Sequence, residues 1–161
     1  MASAEQLGSG IMNPVFDFSN DTRQLLLAAG WTEDRAIDVS GYERDLRREG
    51  YELLHSAAEF LGSFGGLVLE ARLKPGVKAT HHFDPSQAAE NVDPGWVLGE
   101  YRERIGAPLC PIGMSDNCMV LMMDPAGAVY AGFDEALVKL GGSGEDAIET
   151  LCTNRKSEKI P

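Results

Sequence analysis

Apolar positions recur along the chain with two periods, one near 3.6 and one of about 2, divided by glycine- and proline-rich breaks. Asn20-Asp21-Thr22 opens a helix that carries Leu25, Leu26 and Leu27 and closes at Gly30. Trp31 then leads a turn into a short extended piece ending at Val39. Ser40-Gly41-Tyr42-Glu43 has capping-box spacing, with Ser40 as N-cap and Glu43 reaching back. The helix it starts carries Tyr42, Leu46 and the basic pair Arg47-Arg48, and Gly50 ends it. A third helix covers residues 52–63, with Leu53, Leu54, Ala57, Phe60, Leu61 and Phe64 as its apolar stripe. Phe64-Gly65-Gly66-Leu67 turns that helix sharply into a strand, because glycine enters positive φ at little cost.

That strand, residues 67–73, alternates apolar and charged in its second half. Pro75-Gly76 turns it, residues 79–83 return as its hairpin partner, and Asp84-Pro85 stops the pair. Asp93-Pro94 reads as N-cap and first helical position of a helix carrying Trp96, Val97, Tyr101 and Ile105, closed by Gly106. Pro108-Leu109-Cys110-Pro111-Ile112-Gly113 reads as a stiff loop, since its prolines lack backbone donors and belong at an edge or outside a sheet. Residues 119–123 form an unbroken apolar run, as a central strand does; Asp124-Pro125-Ala126-Gly127 is a turn, and Ala128-Val129-Tyr130 returns. Ser143-Gly144-Glu145-Asp146 resembles a capping box with Asp in the last place and opens a helix with Ala147, Ile148 and Leu151. Hairpin signals outnumber βαβ signals, so the expected fold class is α+β, a mostly antiparallel sheet packed against several helices. Residues 1–18 read as a flexible lead-in, in which Met12 offers a second start, residues 19–153 as a single domain, and residues 154–161 as a frayed polar tail.

A chain of 161 residues has enough material for a real core. Its 14 Lys and Arg stand against 25 Asp and Glu, a net charge of −11. That balance disfavours nonspecific nucleic-acid binding, which needs cations against phosphate. It suits a soluble surface and the steering of a basic protein partner. No apolar run is long enough to cross a bilayer, and the first residues lack the basic and apolar regions of a signal peptide, so a cytoplasmic protein is expected. Cys110, Cys118 and Cys152 are odd in number and dispersed, which fits a reducing compartment better than a disulfide framework or a zinc site.

Candidate chemistry is thin. His81-His82 would point to opposite faces of a strand and so share no metal; His55 is distant, and Asp84 beside them makes an unspecific cluster. Ser115-Asp116 with His82 has the residue types of a triad without a nucleophile elbow. Gly141-Gly142-Ser143-Gly144 precedes a helix, but Glu145 and Asp146 already hold its positive end. Glu33-Asp34 marks a turn, and Arg47-Arg48 is offset by Glu43, Asp45 and Glu49. No catalytic residue, cofactor or metal is expected. Trp31, Tyr42, Trp96, Tyr101 and Tyr130 are the candidate anchors for a protein partner, since aromatic side chains dominate interface energetics.

Taken in order, several weak motifs resemble the SUKH superfamily, most closely its SUKH-3 group of bacterial immunity proteins. They are Gly30-Trp31 with Arg35, Ala57-Ala58-Glu59-Phe60-Leu61 running into Phe64-Gly65-Gly66-Leu67, Trp96, the Pro108 to Gly113 stretch with Pro111 inside it, and Asp124 to Tyr130 with Gly127 at its turn. Phe133-Asp134 and Leu140-Gly141-Gly142-Ser143, with Glu145, Ala147 and Leu151, complete the set. The resemblance implies an α+β fold in which Gly65, Gly66, Pro108, Pro111, Gly113 and Gly127 are structural. It also implies a non-catalytic protein that binds and neutralises a cognate polymorphic or contact-dependent toxin inside the producing cell, often a nuclease or nucleic-acid deaminase. A general interaction module of the same fold is the alternative, and a small hydrolase or metal-dependent enzyme using His81, His82 or Asp84 the lesser one.

Overall fold

In the computed structural model, which describes residues 16–116 and 118–161, each strand pairs with its neighbour in sequence. The strands are β1 (Val68–Lys74), β2 (Val77–His82), β3 (Cys110–Ser115), β4 (Val120–Met123), β5 (Val129–Phe133), β6 (Ala136–Gly141) and β7 (Glu158–Lys159). They form one seven-stranded antiparallel sheet in the order β1-β2-β3-β4-β5-β6-β7. The helices are α1 (Asn20–Ala28), α2 (Ser40–Arg48), α3 (His55–Phe64), α4 (Pro85–Asn91), α5 (Tyr101–Ile105) and α6 (Gly144–Thr153), with a π-helical turn, Trp96–Glu100, leading into α5. Helix α6 packs against both β1 and β6, so the sheet curls around it. The class is α+β, as the hairpin signals require.

Local chemistry sets most boundaries. The Ser19 hydroxyl accepts from the Thr22 N–H to cap α1, and Ser143 does the same for α6 through Asp146. The capping box expected at Ser40 is not formed: Ser40 is the first helical residue, no side chain caps α2, and the Ser40 N–H donates to Asp38. That bond holds the Asp38 carboxyl below its ordinary value. Helix α3 starts at His55, later than its apolar stripe suggests, because Leu54 is extended (φ −66°, ψ 150°). Asp84-Pro85 does end the hairpin, and it also opens α4, with the Asp84 carboxylate accepting from the Gln87 N–H and proline in the first turn.

The loop at residues 108–113 and the polar tail also depart from expectation. The stiff loop at residues 108–113 is largely strand: β3 is the third of seven strands and is buried along most of its length. Proline is tolerated there because β2 reaches β3 only at Met114 and Ser115, which leaves Pro111 a strand partner on one side alone, beside α4. A register shift between Pro111 and Gly113 absorbs the irregularity, and Gly113 lies so close to the His82 carbonyl that a Cβ would overlap it. The tail is not frayed. Glu158–Lys159 pairs with Val138 and Lys139, the Ile160 N–H donates to Leu137, and Arg104 donates to the carbonyls of Ile160, Pro161 and Glu135.

The core is aromatic at one end. Trp31 stacks on Phe64 with 6.0 Å between ring centroids, and Phe18 and Phe16 meet both rings edge-on. Residues 16–18 of the expected lead-in are therefore part of the fold, with Phe18 buried; residues 1–15 lie outside the described residues. At Gly65 a Cβ would stand 3.0 Å from the Tyr42 ring and 2.5 Å from the Leu61 carbonyl, and Gly66 sits at φ +84°. The glycine pair is the place where α2 and α3 close on the chain entering β1.

Candidate partner-binding groove

The five aromatic candidates separate by depth. Trp31 is 1% exposed, Tyr101 1% and Tyr130 6%, so these are core residues and not surface anchors. Each is buried because its ring completes a packing layer: Trp31 on Phe64, Tyr101 on the sheet, and Tyr130 with its hydroxyl donating to Asp124 at 3.1 Å. Burial, with Asp124 next, pushes the Tyr130 phenol up to about 12. Tyr42 is half-buried against Gly65 and Gly66, near the Arg35 guanidinium that donates to the Gly65 carbonyl at 2.6 Å. Trp96 is half-buried at the mouth of a groove.

That groove has a volume of about 420 Å³ and lies between the sheet and the chain from α4 to α5. Its floor is built on a glycine. A Cβ at Gly132 would stand 2.7 Å from the Tyr101 ring, so the absence of one lets the ring lie flat on β5. The Tyr101 hydroxyl donates to the Asp134 carbonyl at 2.6 Å, which ties α5 to the β5–β6 turn. Burial first, and Asp134 second, push this phenol up to about 12, so it stays a donor at neutral pH. Trp96 stacks on Tyr101 at 5.5 Å with 25° between the planes. Met114 and Val120 continue the apolar wall, and Phe133 stands at the rim, 50% exposed.

Among the described residues, Asp93 and Asp134 are the charged residues of the lining, which includes no Lys or Arg. Asp93 keeps its place by accepting from the Gly95 N–H at 2.8 Å, and Asp134 occupies the left-handed region (φ +49°) in the turn between β5 and β6. A buried apolar floor, with half-buried Trp96 and Met114, half-exposed Phe133 and acidic groups in the lining, has the apolar centre and polar edge that protein-binding surfaces use. The aromatic pattern pointed to Trp96. It passed over Phe133 and Met114, since an apolar residue at a strand end carries the same signal whether it is covered or bare.

The residues considered for catalysis are arranged otherwise. His81, not His82, meets Ser115, Nδ1 to Oγ at 2.8 Å, and both are buried. The Asp116 carboxylate accepts from the Thr80 N–H instead of orienting an imidazole. His82 turns its Nδ1 to the Asp84 N–H at 3.1 Å. Burial lowers both imidazoles from their ordinary 6.5, with Asp116 partly offsetting this at His81 and Asp84 at His82. Burial likewise pushes the thiols of Cys110 and Cys152 up to about 12, which leaves them protonated and inert. Among the described residues, no three His, Cys, Asp or Glu side chains gather as a metal site, and no helix is long and apolar enough to cross a membrane.

A family model described as SUKH-3 immunity protein matches residues 18–154. No curated protein matches the chain, and no solved structure does.

Proposed function

The chain belongs to the SUKH-3 immunity protein family, and from that premise we propose that it binds one cognate toxin protein and neutralises it by covering its surface, without catalysis. The observation that carries this reading is the groove, in which Trp96, Met114 and Phe133 present apolar surface between Asp93 and Asp134. The toxin domain it suits is basic, as a nuclease or nucleic-acid deaminase must be to hold its polyanionic substrate. The net charge of −11 attracts such a domain from a distance, and the groove supplies the contact. Neutralisation takes place in the cytoplasm of the producing cell, before the toxin meets its own substrate.

The test is co-expression with the C-terminal domain of the toxin encoded beside this gene. Cells survive and a complex co-purifies if the reading is right. Trp96→Ala and Phe133→Ala each weaken the complex by about 2 kcal/mol or more, in the range of hot-spot truncations. Phe133→Ala leaves folding stability nearly unchanged, because the ring is half exposed. Failure of the wild-type protein to protect, with no complex formed, overturns the toxin reading; full protection by both variants overturns the groove.

A further inference from the structure

The two ends of the sheet are finished differently. At one end β7 is two charged residues long, a short edge that offers little to pair with. At the other, β1 is seven residues long and, among the described residues, has β2 on one side only. The Leu67 carbonyl accepts from the Phe83 N–H across the hairpin. By the alternation of an antiparallel ladder, Leu69 and Ala71 then turn their backbone groups toward β2, and Val68, Glu70 and Arg72 turn theirs outward. A groove of about 570 Å³ runs along this edge, lined by Leu25, Ala28 and Ala29 of α1 and by Val68, Glu70 and Arg72.

We propose that this edge pairs antiparallel with the β1 edge of a second copy of the chain, about a two-fold axis at Ala71, joining two seven-stranded sheets into one. Read in both directions from Ala71, the strand is Leu69-Glu70-Ala71-Arg72-Leu73. A two-fold axis there sets Glu70 against Arg72 on the exposed face, twice over, and Leu69 against Leu73, which lies at the register shift between Arg72 and Lys74. Glu70 and Arg72 are the residues whose backbone groups face outward, so each Glu70–Arg72 pair also exchanges both N–H···O bonds. Opposite charges in directly facing positions stabilise a strand pair, and like charges oppose it. The register is singular for that reason. A shift one way stacks Glu70 on its own copy, and a shift the other way stacks Arg72 on its own copy.

The free chain leaves this charge pattern unanswered. Within the hairpin Arg72 faces Lys78, a like-charge pair, and among the described residues neither Glu70, Arg72 nor Lys78 makes an ion pair. Glu70 of the second copy answers it. The exposed Val68, next to α1, gains cover in the same contact. The edge shares no residue with the Trp96 groove, so the dimer leaves both grooves open.

The experiment is light-scattering mass against concentration, on the full chain. The wild type gives twice the 17.4 kDa chain mass and dissociates on dilution. Glu70→Arg, which sets cation against cation, gives the single-chain mass at the concentration where the wild type is dimeric. Glu70→Arg combined with Arg72→Glu restores the dimer, because the swapped strand is still complementary to itself. Amide exchange at Glu70 and Arg72 slows in the dimer and is fast in the Glu70→Arg chain, a readout that an interface elsewhere would not move. A wild type of single-chain mass throughout, or a dimer indifferent to Glu70→Arg with both amides fast, overturns the proposal.

Discussion

His81 shows what burial does to a single residue. Its imidazole lies in the core with Nδ1 on the Ser115 hydroxyl, and Nε2 is buried without a hydrogen bond. The same burial lowers its proton affinity from the ordinary 6.5. The unfolded chain therefore binds this proton more readily than the native one, and the native state loses stability as pH falls through and below 6.5. His82 shifts in the same direction and adds to the effect. The urea midpoint should fall between about pH 7.5 and about pH 5, and His81→Gln, which keeps a hydrogen-bonding side chain and cannot charge, should flatten that fall. A slope unchanged in His81→Gln would show that the imidazole is not the titrating group. His81 and His82 take opposite faces of β2, as strand alternation requires, one into the core and one toward Asp84.

Between elements, one carboxylate joins the start of the fold to its end. Glu149, buried on α6, accepts from the Ser19 hydroxyl at 3.0 Å and the Thr22 hydroxyl at 2.9 Å, and also from the Ser19 N–H. Arg155 stands 3.9 Å away. The N-terminal turn of α1 is thus held by an acid some 130 residues later, a pairing that no local pattern announces. Glu149→Ala should cost about 1–3 kcal/mol, because it strands the Thr22 hydroxyl, which burial keeps from water. Denaturation followed by tryptophan fluorescence checks this, since Trp31 follows α1 with its backbone N–H donating to the Leu26 carbonyl. A loss below about 0.5 kcal/mol, the scale of an ordinary surface change, would mean that the latch contributes nothing.

At the scale of the whole molecule, charge and groove act over different distances. The net charge of −11 is felt beyond the contact, and salt screens it, with a Debye length of about 8 Å at physiological ionic strength. For a basic toxin, the association rate should drop as salt rises while dissociation changes little. Asp93→Asn with Asp134→Asn should reduce that salt dependence. Asparagine can keep the turn bond at position 93 and tolerates the left-handed backbone at 134. Stopped-flow association across a salt series measures both. A rate indifferent to salt would remove charge steering from the toxin-binding reading.

The pieces legible in the sequence are those whose cause is local. Ser143 caps a helix because its hydroxyl reaches an N–H three residues on; Gly30, Gly50 and Gly106 close helices because only glycine takes a positive φ cheaply. The Pro75-Gly76 hairpin, the Asp124–Gly127 turn, the central apolar strand β4 and the antiparallel α+β class followed from the same short-range rules. Which surfaces meet depends on long-range packing. It drew residues 110–115 into the sheet despite Pro111, because a strand needs its donors only on the sides that have partners. It fastened the polar tail as β7 through Arg104, and it buried Trp31, Tyr101 and Tyr130 while leaving Trp96 and Phe133 at a groove. Hydrophobicity says that an aromatic side chain gains by being covered; whether its own fold or a partner covers it depends on distant chain segments, and no local pattern contains that information.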